Sequence, residues 1–212
     1  MASSQEYLDF LREKLSWMFY KKNDGKDKAD RFEILRRWRT VMITLKRPTK
    51  EYESEALTFK QEFIENGETT INGSELLDQM DSYDEWLKSV TDNISPDTVN
   101  PEWVVTDTYF ALDENGSIVG IIDLRHELND FLKDFGNCGY SVRPSERRKG
   151  YATEMLKLII ERARQIGMDR LQLSVEPTNE ASVKTITKNG GKYERSFTFE
   201  GIEAAVYMID LV

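Results

Sequence analysis

A short basic loop carries the clearest sign of chemistry in this sequence. It consists of Arg147, Arg148, Lys149, Gly150, Tyr151 and Ala152. The loop leads into a predicted helix, and the first turn of a helix has backbone N–H groups without intrahelical acceptors at a positive dipole end. Gly150 places no Cβ between an anion and the main chain. A phosphate group is the expected occupant, held by amides, with the basic side chains along the rim.

The elements on either side of this loop follow from hydrophobic spacing. After the loop, apolar residues recur at helical intervals over residues 152–166. Before it, residues 138–142 form a predicted strand, which ends before Pro144 because proline has no N–H to donate. Residues 170–175 alternate as a second strand. This order predicts a crossover unit with parallel strands.

Further elements are predicted on both sides of this unit. Asn179 is the expected N-cap of a helix that the Gly190-Gly191 pair ends. An Asn-Gly turn at 115–116 predicts a hairpin. The other predicted strands cover residues 42–47, 103–112, 118–124, 197–200 and 204–209, and the other helices cover 49–66 and 83–93.

The spacing Arg147-x-x-Gly150-x-Ala152, in this strand–loop–helix setting, resembles the pyrophosphate-binding motif of the GNAT family of N-acetyltransferases. The second half of that family's cofactor site is matched by Asn179, Ser182, Lys188 and Gly190. The similarity extends over residues 42–211 and is most specific over 136–191. Within the family, the chain looks like a bacterial subgroup of predicted acetyltransferases.

This resemblance implies an α/β fold, the acyl-CoA N-acyltransferase fold, with a mixed twisted sheet of about six or seven strands flanked by helices. It also implies acetyl-CoA as co-substrate, with its pantetheine arm between the strands at 138–142 and 171–175, which splay apart in the family. A backbone N–H near Val142 would stabilise the thioester oxygen as it gains charge. The chemistry requires no metal, and none is predicted.

The general acid is where the sequence departs from the family. Many members carry a tyrosine seven residues after the asparagine, and that position is Ile186 here. A proton for the leaving thiolate must come from another group. The candidates are Tyr140, Tyr193, Cys138 and water.

The general base must be a group that can take a proton from the ammonium form of the acceptor. His126 is the only histidine and follows a predicted strand, with Asp123 and Glu127 nearby. Glu102, Asp123 and Glu176 are competing candidates, acting directly or through water. The catalytic residues predicted here are therefore His126, Tyr140 and Asp123.

Charge is distributed unevenly along the chain. Residues 51–135 carry 21 acidic and 4 basic groups, whereas residues 136–175 carry 8 basic and 4 acidic groups. This pattern predicts attraction of a cationic amine to the acceptor half, although acidic helices also serve simply to keep a surface soluble. The overall charge of −9 disfavours a nucleic-acid acceptor.

Composition indicates a soluble globular protein. Hydrophobic residues make up 39% of the chain, and no apolar run is long enough to span a membrane. The start of the chain shows no signal-peptide pattern. The single cysteine, Cys138, excludes an internal disulfide and fits a reducing cytoplasm.

Two regions are predicted: a helical N-terminal extension over residues 1–41 and an N-acetyltransferase domain over 42–212. The extension fits a packing helix, an oligomer contact or a fusion remnant, and a homodimer is compatible with it. The function predicted is direct acetyl transfer to a primary amine of a small molecule or peptide. Two alternatives remain: acetylation of aminoacyl-tRNA, and a non-catalytic CoA-binding sensor in which the missing tyrosine marks lost catalysis.

Overall fold

A computed structural model describes residues 41–212. Within them the strands are β1 (Thr44–Lys46), β2 (Thr106–Leu112), β3 (Ile118–Arg125), β4 (Tyr140–Val142), β5 (Arg170–Val175), β6 (Lys192–Phe199) and β7 (Ile202–Asp210). The α-helices are α1 (Glu53–Glu65), α2 (Tyr83–Asp92), α3 (Tyr151–Gln165) and α4 (Glu180–Lys188). Short 3-10 turns at Lys50–Tyr52 and Pro144–Glu146 precede α1 and α3. The helices predicted within residues 1–41 lie outside the described residues.

The strands form two sheets, one in the order β1-β2-β3-β4 and the other in the order β5-β7-β6. The paired strands of both sheets run antiparallel. The predicted hairpin joins β2 to β3, and Asp113 Oδ1 closes its turn by accepting the N–H groups of Asn115 and Ser117, both at 2.9 Å. The predicted α/β fold with six or seven strands is therefore confirmed.

The two sheets meet at one end of the gap between β4 and β5. Asn137 donates its N–H to Gln172 O at 2.8 Å, and its Oδ1 accepts the Gln172 N–H at 3.0 Å. Beyond this junction, no hydrogen-bonded ladder joins β4 to β5 in residues 41–212. The parallel pairing that the sequence predicts for these strands is thus not formed as a ladder, and a gap separates them.

Helices cover both faces of the first sheet. On one face, α3 packs Met155, Leu156 and Ile159 against Ile122 and Leu124 of β3. On the other face lie α1 and α2, which pack Phe59, Phe63 and Trp86 against Phe110 and Ile121. Successive residues of a strand point to opposite faces, so β3 contributes to both cores. Each fully buried large apolar side chain contributes about 1.5–3 kcal/mol to stability.

Some element boundaries differ from the predicted ones. The last strands are longer than predicted, since β6 begins at Lys192 rather than at residue 197. Its first half is polar and exposed, and it is a strand because it pairs with β7, as in the register of Lys192 with Met208. β2 begins at Thr106, later than the predicted 103, because Trp103 belongs to a turn in which its N–H bonds Asn100 O at 2.8 Å.

Candidate active site

The predicted phosphate loop contains two residues with left-handed backbone conformation. Gly150 is the N-cap of α3 with φ of 95°, and as a glycine it has no side chain that could cap the helix. Arg148 also lies in the left-handed region, with φ of 63°. Left-handed residues in such a loop turn backbone N–H groups toward a common point, which is how proteins bind anions. A Cβ on Gly150 would lie 3.3 Å from Val41 Cγ2, and the positive φ would strain any other residue there.

Two of the three basic side chains of the loop are paired with carboxylates. Arg147 donates from Nη1 and Nη2 to the two carboxylate oxygens of Glu68, both at 2.7 Å. Lys149 Nζ lies 2.7 Å from Glu146 Oε2. Both cations are therefore held against carboxylates of the protein itself.

Backbone groups of β4 face the gap between the sheets. Ser141 pairs with Ile121 of β3, and in an antiparallel ladder the neighbouring residues direct their N–H and C=O groups away from that partner. Tyr140 and Val142 therefore present backbone groups toward β5. The Val142 carbonyl accepts Arg147 Nε at 3.2 Å, which ties this strand to the phosphate loop. The Val142 N–H is a donor at the position that the sequence predicts for the oxyanion contact.

The first turn of α4 lies on the other side of this gap. Asn179 caps the helix as predicted, because its Oδ1 accepts the Ser182 N–H at 3.1 Å. Tyr140 Oη donates to Ser182 O at 3.5 Å, and burial raises the pKa of Tyr140 to about 12. Ile186, at the family's tyrosine position, is 1% exposed and belongs to the core. Lys188 is exposed at the end of α4.

A buried group of charges lies beside the start of β4, on the face covered by α1 and α2. Arg125 Nη2 is 2.7 Å from Asp123 Oδ2 and 3.1 Å from Glu75 Oε1. Trp103 Nε1 donates to Glu75 Oε2 at 2.9 Å. The Gly139 N–H, one residue before β4, donates to Asp123 Oδ1. Asp123 thus connects this group of charges directly to the strand that borders the gap.

Glu75 belongs to a loop that no sequence motif marks. Its φ is 50°, and that of the next residue, Leu76, is 71°, so the main chain is strained there. The main chain of this loop packs closely against the residue before β4. A Cβ built on Gly73 would lie only 2.2 Å from Gly139 O, so only glycine fits at this position. Burial, reinforced by the charge of Asp123, raises the pKa of Glu75 to about 7. Sequence reasoning missed this residue because its partners are distant along the chain.

His126 lies away from Asp123, on the opposite face of the first sheet. Its Nε2 is 3.3 Å from Asp107 Oδ2, and Asp107 also contacts Arg47 and, at 3.3 Å, Arg162 of α3. Burial opposes ionisation of Asp107, but His126 and Arg47 outweigh it and hold its pKa well below the ordinary value. The structure does not bring the predicted residues His126 and Asp123 together.

The other predicted acids and bases occupy varied positions. Cys138 is buried beside Asp123, and burial raises the pKa of its thiol well above its ordinary value. Tyr193 is 59% exposed on β6, and its Oη lies 3.2 Å from Ser196 Oγ. Glu102 and Glu176 are both exposed.

Comparison with known proteins identifies the family. A model of the acetyltransferase (GNAT) domain matches residues 42–192. The chain belongs to the GNAT acetyltransferase family. GNAT enzymes use acetyl-CoA, so the predicted co-substrate is confirmed for the family. The matched residues include the phosphate loop, β4 and the Asp123–Arg125–Glu75 group. No curated protein matches the chain in sequence.

Solved GNAT structures share the fold at low sequence identity. A putative acetyltransferase from Salmonella typhimurium, yncA with its cofactor acetyl-CoA, is 16% identical, with a TM-score of 0.57 over 80% of this chain and 94% of its own. A GNAT-family acetyltransferase from Streptococcus pneumoniae is 20% identical, with a TM-score of 0.58 over 80% and 99%. The spermidine/spermine N-acetyltransferase SpeG from Vibrio cholerae is 14% identical, with a TM-score of 0.56 over 80% and 94%.

Residues 41–212 contain neither a membrane-spanning helix nor a group of side chains that could hold a metal ion. None of their helices has the length and apolar character needed to cross a bilayer. Those residues also contain no group of three or more His, Cys, Asp or Glu side chains arranged to hold a metal ion.

Proposed function

We propose that this GNAT protein is an acetyl-CoA-dependent N-acetyltransferase that transfers the acetyl group directly to a primary amine of a small molecule or peptide. One observation carries the proposal: the backbone groups of Tyr140 and Val142 point away from β3 toward β5, with which β4 shares no ladder in residues 41–212, and β4 leads into the loop whose Arg148 and Gly150 have positive φ. The loop fits a diphosphate, and the gap fits an extended arm that pairs with a strand edge. Bound acetyl-CoA would supply an activated acetyl thioester there.

The chain's own groups divide the proton chemistry between the two faces of the sheet. Tyr140, on the face of α3 and α4, stays protonated at neutral pH and is the proposed donor to the leaving thiolate. Asp123, on the opposite face and joined to Glu75 through Arg125, is the proposed acceptor of the ammonium proton. The Val142 N–H is the proposed donor to the carbonyl oxygen.

An acceptor that carries positive charge is supported by two observations. Residues 51–135, which include the helices over the face of Asp123, carry 21 acidic and 4 basic groups. The SpeG relative is named for spermidine and spermine, which are cationic amines. We propose a cationic amine on this basis, in the cytoplasm that the single cysteine suggests.

The proposal is tested by calorimetry with acetyl-CoA, followed by thiol release and mass spectrometry with polyamines, aminoglycosides, amino acids and peptides. We expect saturable binding and an acetylated amine from at least one class. A folded protein that gives no heat with acetyl-CoA overturns the proposal. The variant Cys138→Ala should keep its activity, because direct transfer forms no acyl-enzyme.

A non-catalytic CoA-binding sensor is the second candidate. The buried Ile186 favours it, because the side chain at the family's tyrosine position cannot donate a proton. Tight acetyl-CoA binding without turnover of any acceptor in the panel would support the sensor, whereas turnover that falls in Tyr140→Phe would support the enzyme.

A further inference from the structure

The segment that leads into the phosphate loop is held by carboxylates of α1 and of the residues that follow it. Arg143 donates from Nε to Glu62 Oε2 at 2.6 Å and from Nη1 to Glu55 Oε1 at 2.7 Å. The Ser145 N–H donates to Glu62 Oε1 at 2.7 Å. With the Arg147–Glu68 pair described above, every second residue from 143 to 147 contacts a glutamate.

Glu62 differs from Glu55 and Glu68 because it contacts two residues of this segment. It binds the main chain at Ser145 as well as the side chain of Arg143, and so it fixes the backbone path itself. Arg143 is 13% exposed and Glu62 is 24% exposed, so the pair is partly shielded from solvent. Burial opposes ionisation of Glu62, but the hydrogen bonds from Arg143 and Ser145 outweigh it and lower its pKa. The carboxylate is therefore charged at neutral pH.

The loop needs such support. Arg148 has positive φ although it is not a glycine, and such a strained conformation persists only where the surrounding structure holds it. Pro144 restricts one end of the segment, and α3 fixes the other. Between them, the bonds from Glu62 and Glu68 set where the segment enters the left-handed residues.

We propose that Glu62, assisted by Glu68, is a positioning residue for cofactor binding: it holds residues 143–147 so that the amides at the start of α3 meet the diphosphate. This inference rests on the proposed function, because it assigns that loop to acetyl-CoA. Glu62 would act through Arg143 and Ser145, the two residues that it contacts in this segment. One helix, α1, thus covers the acceptor face and also sets the conformation of the donor site.

The test compares Glu62→Gln with the matched control Glu65→Gln. Glu65 lies on the same helix, is exposed and accepts from Gln61 Nε2 at 3.1 Å. By calorimetry, Glu62→Gln should raise the acetyl-CoA dissociation constant about tenfold or more, since a charged hydrogen-bond network to the loop is lost. Glu65→Gln should bind as the wild type does.

A second acetyl donor distinguishes a loss of loop positioning from general damage to the active site. Acetyl-pantetheine carries the thioester and the arm but no phosphate, so kcat/KM with it should be the same in Glu62→Gln and wild type. An equal loss with both donors, or unchanged acetyl-CoA affinity, overturns the inference. If Glu62→Gln does not fold, Glu68→Gln gives the same comparison at a more exposed pair. Wild-type protein that fails to bind acetyl-CoA would instead refute the proposed function.

Discussion

The group formed by Glu75, Arg125 and Asp123 places two carboxyl groups and one guanidinium in a buried region. One cation cannot compensate two carboxylates where water is excluded, and the cost falls on Glu75. This gives the acceptor face a group that can hold or release a proton near neutral pH. It also leaves a net negative charge for an incoming ammonium once both carboxyl groups are ionised.

Replacing Glu75 should change how stability depends on pH. The pKa of about 7 in the folded protein lies above the ordinary value of 4.5, so the folded state retains a proton that the unfolded chain releases as pH rises between these values. The free energy of unfolding should therefore fall over this range, on the order of 2 kcal/mol, and then level off. Glu75→Gln should remove most of this slope in urea denaturation at pH 5 and pH 8. An unchanged slope in the variant would contradict the assignment.

Asp107 should give the opposite dependence of stability on pH in the same denaturation experiment. Its pKa is lowered in the folded protein, so its stabilising contribution is present above its ordinary pKa and is lost in acid. Asp107→Asn should destabilise the protein at pH 5 and at pH 8 alike. Comparing the two variants therefore distinguishes a carboxyl group whose pKa is raised by folding from one whose pKa is lowered by folding.

Replacing each of the two bases predicted from the sequence, Asp123 and His126, should have different effects on activity. Asp123→Asn should lower kcat by about a hundredfold with any amine that is turned over, because the proposed proton acceptor is lost. His126→Ala should stay within a few-fold of wild type, because His126 contacts Asp107 on the other face of the sheet. Steady-state rates with circular dichroism as a folding control decide this. A large loss in His126→Ala with normal folding would reverse the assignment.

Among the elements, α4 allows a direct test of its cap. Asn179 Oδ1 accepts the Ser182 N–H, and its loss should cost about 1 kcal/mol in the free energy of unfolding of Asn179→Ala. Asn179→Asp keeps an acceptor oxygen and should remain close to wild type. Urea denaturation measures both. Equal stability of the alanine and aspartate variants would show that the capping bond contributes little.

The sequence predicts elements well where the signal is local. The helix after Gly150, the strand at 170–175 and the Asn179 cap follow from spacing and side-chain chemistry within a few residues. Glu75 could not be found in this way, because its contact with Arg125 joins distant parts of the chain. The separation of His126 from Asp123 follows from strand alternation, since residues three apart on an extended chain point to opposite faces.

Across the whole molecule, charge separates the donor half from the acceptor half. Residues 51–135 are strongly acidic and residues 136–175 are basic on balance. Salt should therefore raise KM for a polycationic acceptor several-fold between about 0.05 and about 0.5 M, because it screens long-range attraction. A zwitterionic acceptor should show little change. Initial rates over this range test the idea, and equal salt dependence for both acceptors would contradict it.

The junction at Asn137 has a mechanical consequence. Besides its two bonds with Gln172, its Nδ2 donates to Arg125 O at 3.1 Å and its carbonyl accepts the Arg125 N–H at 2.7 Å. The two bonds with Arg125 hold Asn137 to β3, and the two bonds with Gln172 hold it to β5, so any displacement of one sheet relative to the other at this point acts on the Gln172 pair. Separating the sheets at this end therefore requires those bonds to break, whereas β4 and β5 share no ladder beyond it within residues 41–212.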